Sequence, residues 1–355
     1  MQKYYLIACS VLFCCLFSSL STGTSTYPDK LKDWKILIIE SGSLVPAQGT
    51  LPYAVAQSLF SDYARKLRTI TLPKGARILW KDDGFEFPVG TILTKTFYYP
   101  TDSMGRVLAS TLRTLNQRET GVPLDLMTPI ETRLLVYEEI GWVPLSYSWK
   151  GGEAIRTPIG DSHELTLLES SGKHKKFTYI APAENECNSC HIKNTSTKLF
   201  EPLGFRPLHL NRKIHTLAGE KNQLEHFEEL QLLSGFNTKT MLALTDKLEN
   251  QARLYLDIHC AHCHNKNGYA KHMGLSFSYS ESSIDKLGIC KDPVTYQNDS
   301  AYVIWPRLPE KSTLLQRLTS LELSTMMPPL GRSLVDHEGI ALIQRWIKNL
   351  SVTCE

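Results

Sequence analysis

The chain has 355 residues, enough for two or three domains with cores of their own. Hydrophobic residues make up 42% and charged residues 21%, which is the balance of a folded globular protein and excludes a disordered one. The net charge of +3 is too near neutral to hold nucleic acid or an acidic membrane surface.

In chain order, Lys3 is followed by a mostly apolar stretch from Tyr4 to Leu20 and by small polar residues at 21–25. Residues 1–24 therefore read as a cleaved signal peptide, with export to the periplasm as the consequence. Ser10, Ser18 and Ser19 interrupt the stretch, which is short for a spanning helix. Leu6-Ile7-Ala8-Cys9 loosely matches a lipoprotein processing site, and membrane association through a lipid anchor is the lesser alternative. No later segment approaches ~18 uninterrupted apolar residues.

Residues 25–183 are expected to form a β-rich N-terminal domain. A strand is predicted over 34–39, and helical spacing of Leu59, Tyr63 and Leu67 predicts a helix over 58–68. Strands are predicted over 91–99, 133–138, 142–149 and 176–180, where β-branched and aromatic residues concentrate. Pro88, Gly90, Pro100, Gly141 and Gly151-Gly152 punctuate them. No nucleophile elbow, phosphate loop or metal-spaced histidine cluster is found there. His163 and His174 are expected in solvated turns.

Two runs then carry the chemistry: Cys187-Asn188-Ser189-Cys190-His191 and Cys260-Ala261-His262-Cys263-His264. C-x-x-C-H is the attachment signature of c-type haem. Two thiols one helical turn apart can each add to a vinyl group of one porphyrin, and the adjacent imidazole can bind its iron. A zinc ribbon would space its pairs by ~15–20 residues, whereas these are about seventy apart. A redox disulfide has no use for the trailing His present in both. The cofactors expected are thus two covalently attached haems, with His191 and His264 as iron ligands.

Residues 184–238 would be the first haem-binding module and 239–355 the second. No Met lies between Met127 and Met241, so the sixth ligand of the first haem is open among His209, His215, His226 or none. A helix is predicted over 221–233. Another, over 239–259, would place Leu248, Ala252, Tyr255, Leu256 and His259 on one face. Met327, before Pro328-Pro329, is the candidate sixth ligand of the second haem, with Met326 as the fallback; core filler is the competing role for either. The prolines fix φ and stiffen that loop. Asp336 is a plausible N-cap of a last amphipathic helix bearing Ile343, Trp346, Ile347 and Leu350, which should pack on the helix before Cys260. Of nine cysteines, Cys9, Cys14 and Cys15 fall in the signal and four in the runs. The remaining Cys290 and Cys354 could pair in an oxidising compartment or stay separate thiols.

On Cys260, Cys263, His264, Met327-Pro328-Pro329 and the Trp346 helix, residues 241–355 resemble a class I-type bacterial cytochrome c domain. With LFSDYARKLR at 59–68, FPVGTILTKTFYY at 87–99, LGFRPLHLNR at 203–212 and the paired runs, the chain after the signal resembles a family of exported di-haem c-type cytochromes. The resemblance implies haem binding and electron transfer but supplies no substrate. The fold expected is α+β, an antiparallel β domain followed by α-helical cytochrome c-type haem modules. An electron carrier with an unidentified redox partner protein ranks first. A di-haem peroxidase-like or oxidase-like enzyme, using an open sixth position at the first haem, ranks second. A scaffold whose β domain grips a partner ranks third.

Overall fold

The computed structural model describes residues 27–81, 84–108, 120–169, 171–216, 219–236, 244–295 and 301–354. The expected signal peptide at 1–24, the lesser alternative of a lipid anchor at Cys9 and the start of the helix predicted over 239–259 lie outside them.

The organising element is a six-stranded antiparallel sheet. Its strands are β1 (Thr50–Pro52), β2 (Arg65–Thr71), β3 (Ile92–Pro100), β4 (Met127–Glu138), β5 (Gly141–Lys150) and β6 (Glu153–Arg156). They lie side by side in chain order, each paired with the next. The β4–β5 hairpin turns at Glu139-Ile140 and sets Leu134 opposite Leu145. Alternation then divides the sheet by face. Leu67, Tyr98, Leu134, Leu145 and Tyr147 pack with Leu37 and Leu44 in one core. Ile70, Leu93 and Trp142 pack with Phe205, Leu224 and Phe227 in another. Pro129, which cannot donate to a ladder, marks a bulge where the β3–β4 register shifts. A second hairpin, β7 (Asp161–Leu168) with β8 (His174–Ala181), covers one end.

The helices are short. Residues 188–191, 207–210 and 223–229 hold α1 (Asn188–His191), α2 (Pro207–Leu210) and α3 (Gln223–Glu229). α4 (Leu248–His259), α5 (Thr313–Thr319) and α6 (His337–Lys348) follow. The expectation of α-helical cytochrome c-type modules is therefore corrected. Among the described residues the protein is mostly β, 33% strand against 20% helix, and its C-terminal part, with two helices longer than seven residues, is unlike a class I cytochrome c domain. The physical reason is local. α1 is a single turn that ends where Ile192 goes extended, α2 is a single turn that opens on Pro207, and Lys213–Thr216 pairs with Gly219–Asn222 where helix was expected to begin. Between His264 and α5 the described residues hold only three-residue 3-10 turns.

The helix predicted over 58–68 is also absent. Asp62 and Tyr63 have φ of 50° and 64°, in the left-handed region that ends a helix, and the chain enters β2 at Arg65. His163 is on β7, half-buried and bonded to the Ser148 hydroxyl, not in a solvated turn. The predicted pairing of the last two long helices is present: Ala252, Tyr255 and Leu256 of α4 share a core with Ile340, Ile343 and Trp346 of α6. The Trp346 indole N–H donates to Glu249, and the Asp336 carboxylate caps α6 at the Gly339 amide. Cys290 and Cys354 form a disulfide.

Glu131 of β4 is fully buried. It accepts two bonds from Arg133, at 2.6 and 2.8 Å, one from Ser146 Oγ at 3.0 Å and one from Tyr179 Oη at 2.8 Å. Removing one partner of such a pair leaves a buried charge exposed to nothing that neutralises it. Glu131→Ala should cost about 3–5 kcal/mol of unfolding free energy, read from urea denaturation, while Arg133 remains in place.

Candidate functional site

The face of the sheet bearing Leu93, Lys95 and Arg133 forms one wall of a cavity of about 1730 Å³ including its open mouth. The opposite walls come from Cys187, Cys190 and His191, from Phe205, and from Tyr255, His262, Met327 and Arg332 of the C-terminal part. The first C-x-x-C-H run and the predicted Met thus share one cavity.

His191 is oriented for coordination. Its Nδ1–H donates to the Glu201 carbonyl at 2.8 Å, and its ring stacks on Phe200 at 4.5 Å and 8°. With Nδ1 occupied, the Nε2 lone pair is the one left to a metal, the usual arrangement that fixes the tautomer of a ligating imidazole. Burial pushes its pKa down to about 3, so the ring is neutral at pH 7. Cys187 and Cys190 lie beside it as thiols, their pKa values raised by burial.

In the second run, Cys260 is buried and Cys263 half-buried, both thiols pushed up to about 12 by burial. His264 packs against the edge of Phe277 at 5.5 Å, and burial pushes its pKa down to about 4. Its buried Nδ1 has no hydrogen-bond partner. The Arg317 carbonyl accepts the Met327 amide at 3.0 Å. Met326 is buried in the same loop.

The two runs touch. Cys263 Sγ lies 3.6 Å from the Ser189 carbonyl, and Thr195 bonds the Asn267 carbonyl through its amide at 2.9 Å and its hydroxyl at 3.1 Å. His262, read in the sequence only as a spacer between two cysteines, is 6% exposed and lines the cavity. Its Nδ1 makes no hydrogen bond, and burial, with His264 adding, pushes its pKa down to about 4.

The three histidines predicted as alternatives for the first sixth ligand lie elsewhere. His209 is fully buried against Asp257, which it bonds at 2.9 Å beside Arg206. Burial alone would raise the Asp257 pKa, but His209 and Arg206 hold it well below the carboxylate range. His215 is exposed on the 213–222 hairpin near Glu220, and His226 pairs with Glu229 on α3. None of the three lines the cavity.

Sequence reasoning also missed a row of cations. Arg68, Lys95 and Arg133 stand directly opposite one another on β2, β3 and β4, an arrangement that costs stability unless acids offset it. Glu131 offsets Arg133. Burial, then Arg133 and Arg68, push the Lys95 pKa down to about 7. Lys95 has no ion pair among the described residues; its ammonium sits 5.0 Å from the Phe97 ring centre. The available signal was the inward position of these polar residues, in step with Leu93 and Leu135.

Asp62 ties the Met-bearing loop to the sheet domain. Its buried carboxylate accepts the amides of Ser333 and Leu334 at 2.7–2.9 Å, and the Ser333 hydroxyl reaches the Thr178 carbonyl.

The cysteine and histidine donors fit covalent haem at the first run: free thiols, an imidazole with one nitrogen tethered, and a large cavity in front of it. The second run has the same donor set and a buried imidazole nitrogen awaiting a partner. Among the described residues no group of three or more His, Cys, Asp or Glu is gathered as a metal cage. No family model matches the chain, and no curated protein or solved structure is significantly similar to it.

Burial pushes the Asp62 pKa up to about 6 against an ordinary value of about 4. The folded chain therefore binds a proton more tightly than the unfolded chain, and stability falls as pH rises from about 4 to about 6. Asp62→Asn should remove this component: its stability relative to wild type, read from urea denaturation at pH 4 and pH 7, should shift by up to about 3 kcal/mol in favour of the mutant at the higher pH.

Proposed function

We propose that this chain is a periplasmic di-haem c-type cytochrome that transfers electrons. Its two haems would be attached at Cys187 and Cys190 and at Cys260 and Cys263, with iron bound by His191 and by His264. Met327 would complete the second site. The observation that carries this reading is the His191 imidazole, its Nδ1 tethered to the Glu201 carbonyl, lining a cavity beside two unpaired thiols. When bound, haem iron supplies one-electron chemistry at a potential set by its axial ligands and surroundings. The chain's own residues would do the rest. Phe200 fixes the plane of His191, and Asp62 holds the Met327 loop against the sheet domain. Lys95 and Arg133 place positive charge on the cavity wall. The Cys290–Cys354 disulfide supports an oxidising compartment. Among the described residues no helix is long and apolar enough to cross a membrane.

The rival reading, a peroxidase-like or oxidase-like enzyme, requires an open sixth position at the first haem. A carrier should show no peroxide turnover and no carbon monoxide binding when reduced.

The matured protein, denatured and extracted with acid acetone, should keep its colour and give two haems per chain in a pyridine haemochrome assay. The Cys187→Ser/Cys190→Ser double variant should keep one. A colourless chain sinks the proposal. Met327→Ala should lower the potential of the second haem in a potentiometric titration and abolish the long-wavelength sulfur–iron band; a surviving band would assign the ligand to Met326 or another group.

A further inference from the structure

We propose that His262 is the sixth ligand of the first haem, binding the iron opposite His191. The inference rests on the di-haem reading and adds what the sequence left open. Four observations carry it. The two runs are in direct contact through Cys263 and Ser189 and through Thr195 and Asn267. His262 projects from between the two thiols of the second run into the cavity that Cys187, Cys190 and His191 line. It is 6% exposed, and its buried Nδ1 has no well-aligned hydrogen-bond partner, which leaves a polar atom for a ligand to take. The competing side chains are committed elsewhere.

His259 also lines the cavity, but both its nitrogens are used: Nδ1 bonds the Tyr255 carbonyl at 2.8 Å and Nε2 accepts the Phe60 amide at 2.8 Å. His209, His215 and His226 do not line it. Met327 lines it too, but its amide is tied to the Arg317 carbonyl at 3.0 Å, and the di-haem reading gives its thioether to the second haem. Ligation by His262 needs no other reactant: a neutral imidazole donates a lone pair, and no electron or proton leaves. The spacer position of one attachment run would then be a ligand of the neighbouring haem.

The test uses the full-length chain matured in a host that attaches haem. His262→Ala is expected to keep two haems per chain by pyridine haemochrome while one turns high-spin in the ferric EPR spectrum and binds carbon monoxide when reduced. Added imidazole should return that haem to low spin. His262→Met, which keeps a ligating atom, should stay six-coordinate with one midpoint potential raised and the other unchanged. Two low-spin haems inert to carbon monoxide in His262→Ala, or two unchanged potentials in His262→Met, would overturn the assignment. If His262→Ala fails to mature, the His262→Met potentials decide. A wild-type chain that carries no haem fails the haemochrome count before any substitution is made, and so strikes the di-haem reading itself.

Discussion

The wall of the cavity depends on one buried carboxylate. Without Glu131, the sheet would present Arg68, Lys95 and Arg133 in a row with nothing negative behind them. Two bonds from Arg133, one from Ser146 and one from Tyr179 satisfy the carboxylate fully and join β4, β5 and β8 at one point. The result is a rigid, positively charged surface facing the first pair of thiols. The remaining positive charge on that wall suits a large anionic or redox-active group better than a neutral one.

A second carboxylate performs the corresponding task between the two halves of the chain. Asp62 sits where the backbone turns left-handed before β2 and takes the amides just beyond the Met327 loop. Tyr63 adds a bond from its hydroxyl to the Val335 carbonyl. The loop is thereby tied to the sheet domain as well as to α5, where the Arg317 carbonyl accepts the Met327 amide. Arg206, His209 and Asp257 make a third polar junction, between α2 and α4. The parts that could hold haem are therefore assembled from segments far apart in sequence, with a buried carboxylate at each joint.

Much of this was legible in the residues. The alternation of Leu145, Tyr147 and Trp149 predicted β5, and the Asp336 cap and apolar stripe predicted α6. The motif spacing singled out all four cysteines of the runs. Other features were not. Leu59, Tyr63 and Leu67 suit a helix, but periodicity is blind to the left-handed backbone at 62–63. The haem runs suggested helical modules around them, whereas the backbone turns extended at Ile192 after one turn of α1 and leaves helix at Asn211 after one turn of α2. Glu131 and Arg133, two apart on one strand, were a readable sign of charge turned inward. The Glu201 carbonyl that orients His191 could not be read, because a backbone acceptor leaves no mark in a side-chain pattern. His262 was hidden by its own motif, in which the middle positions count as filler.

The burial of the four thiols bears on the order in which this protein would be made. As free thiols in this fold they are buried, with raised pKa values, and Cys263 lies against the other run. A thiol in that state is a poor nucleophile, and a bulky porphyrin could not be threaded between runs already in contact. On the proposed reading, both prosthetic groups must be joined to an open polypeptide first, and tertiary collapse follows around them as around a template.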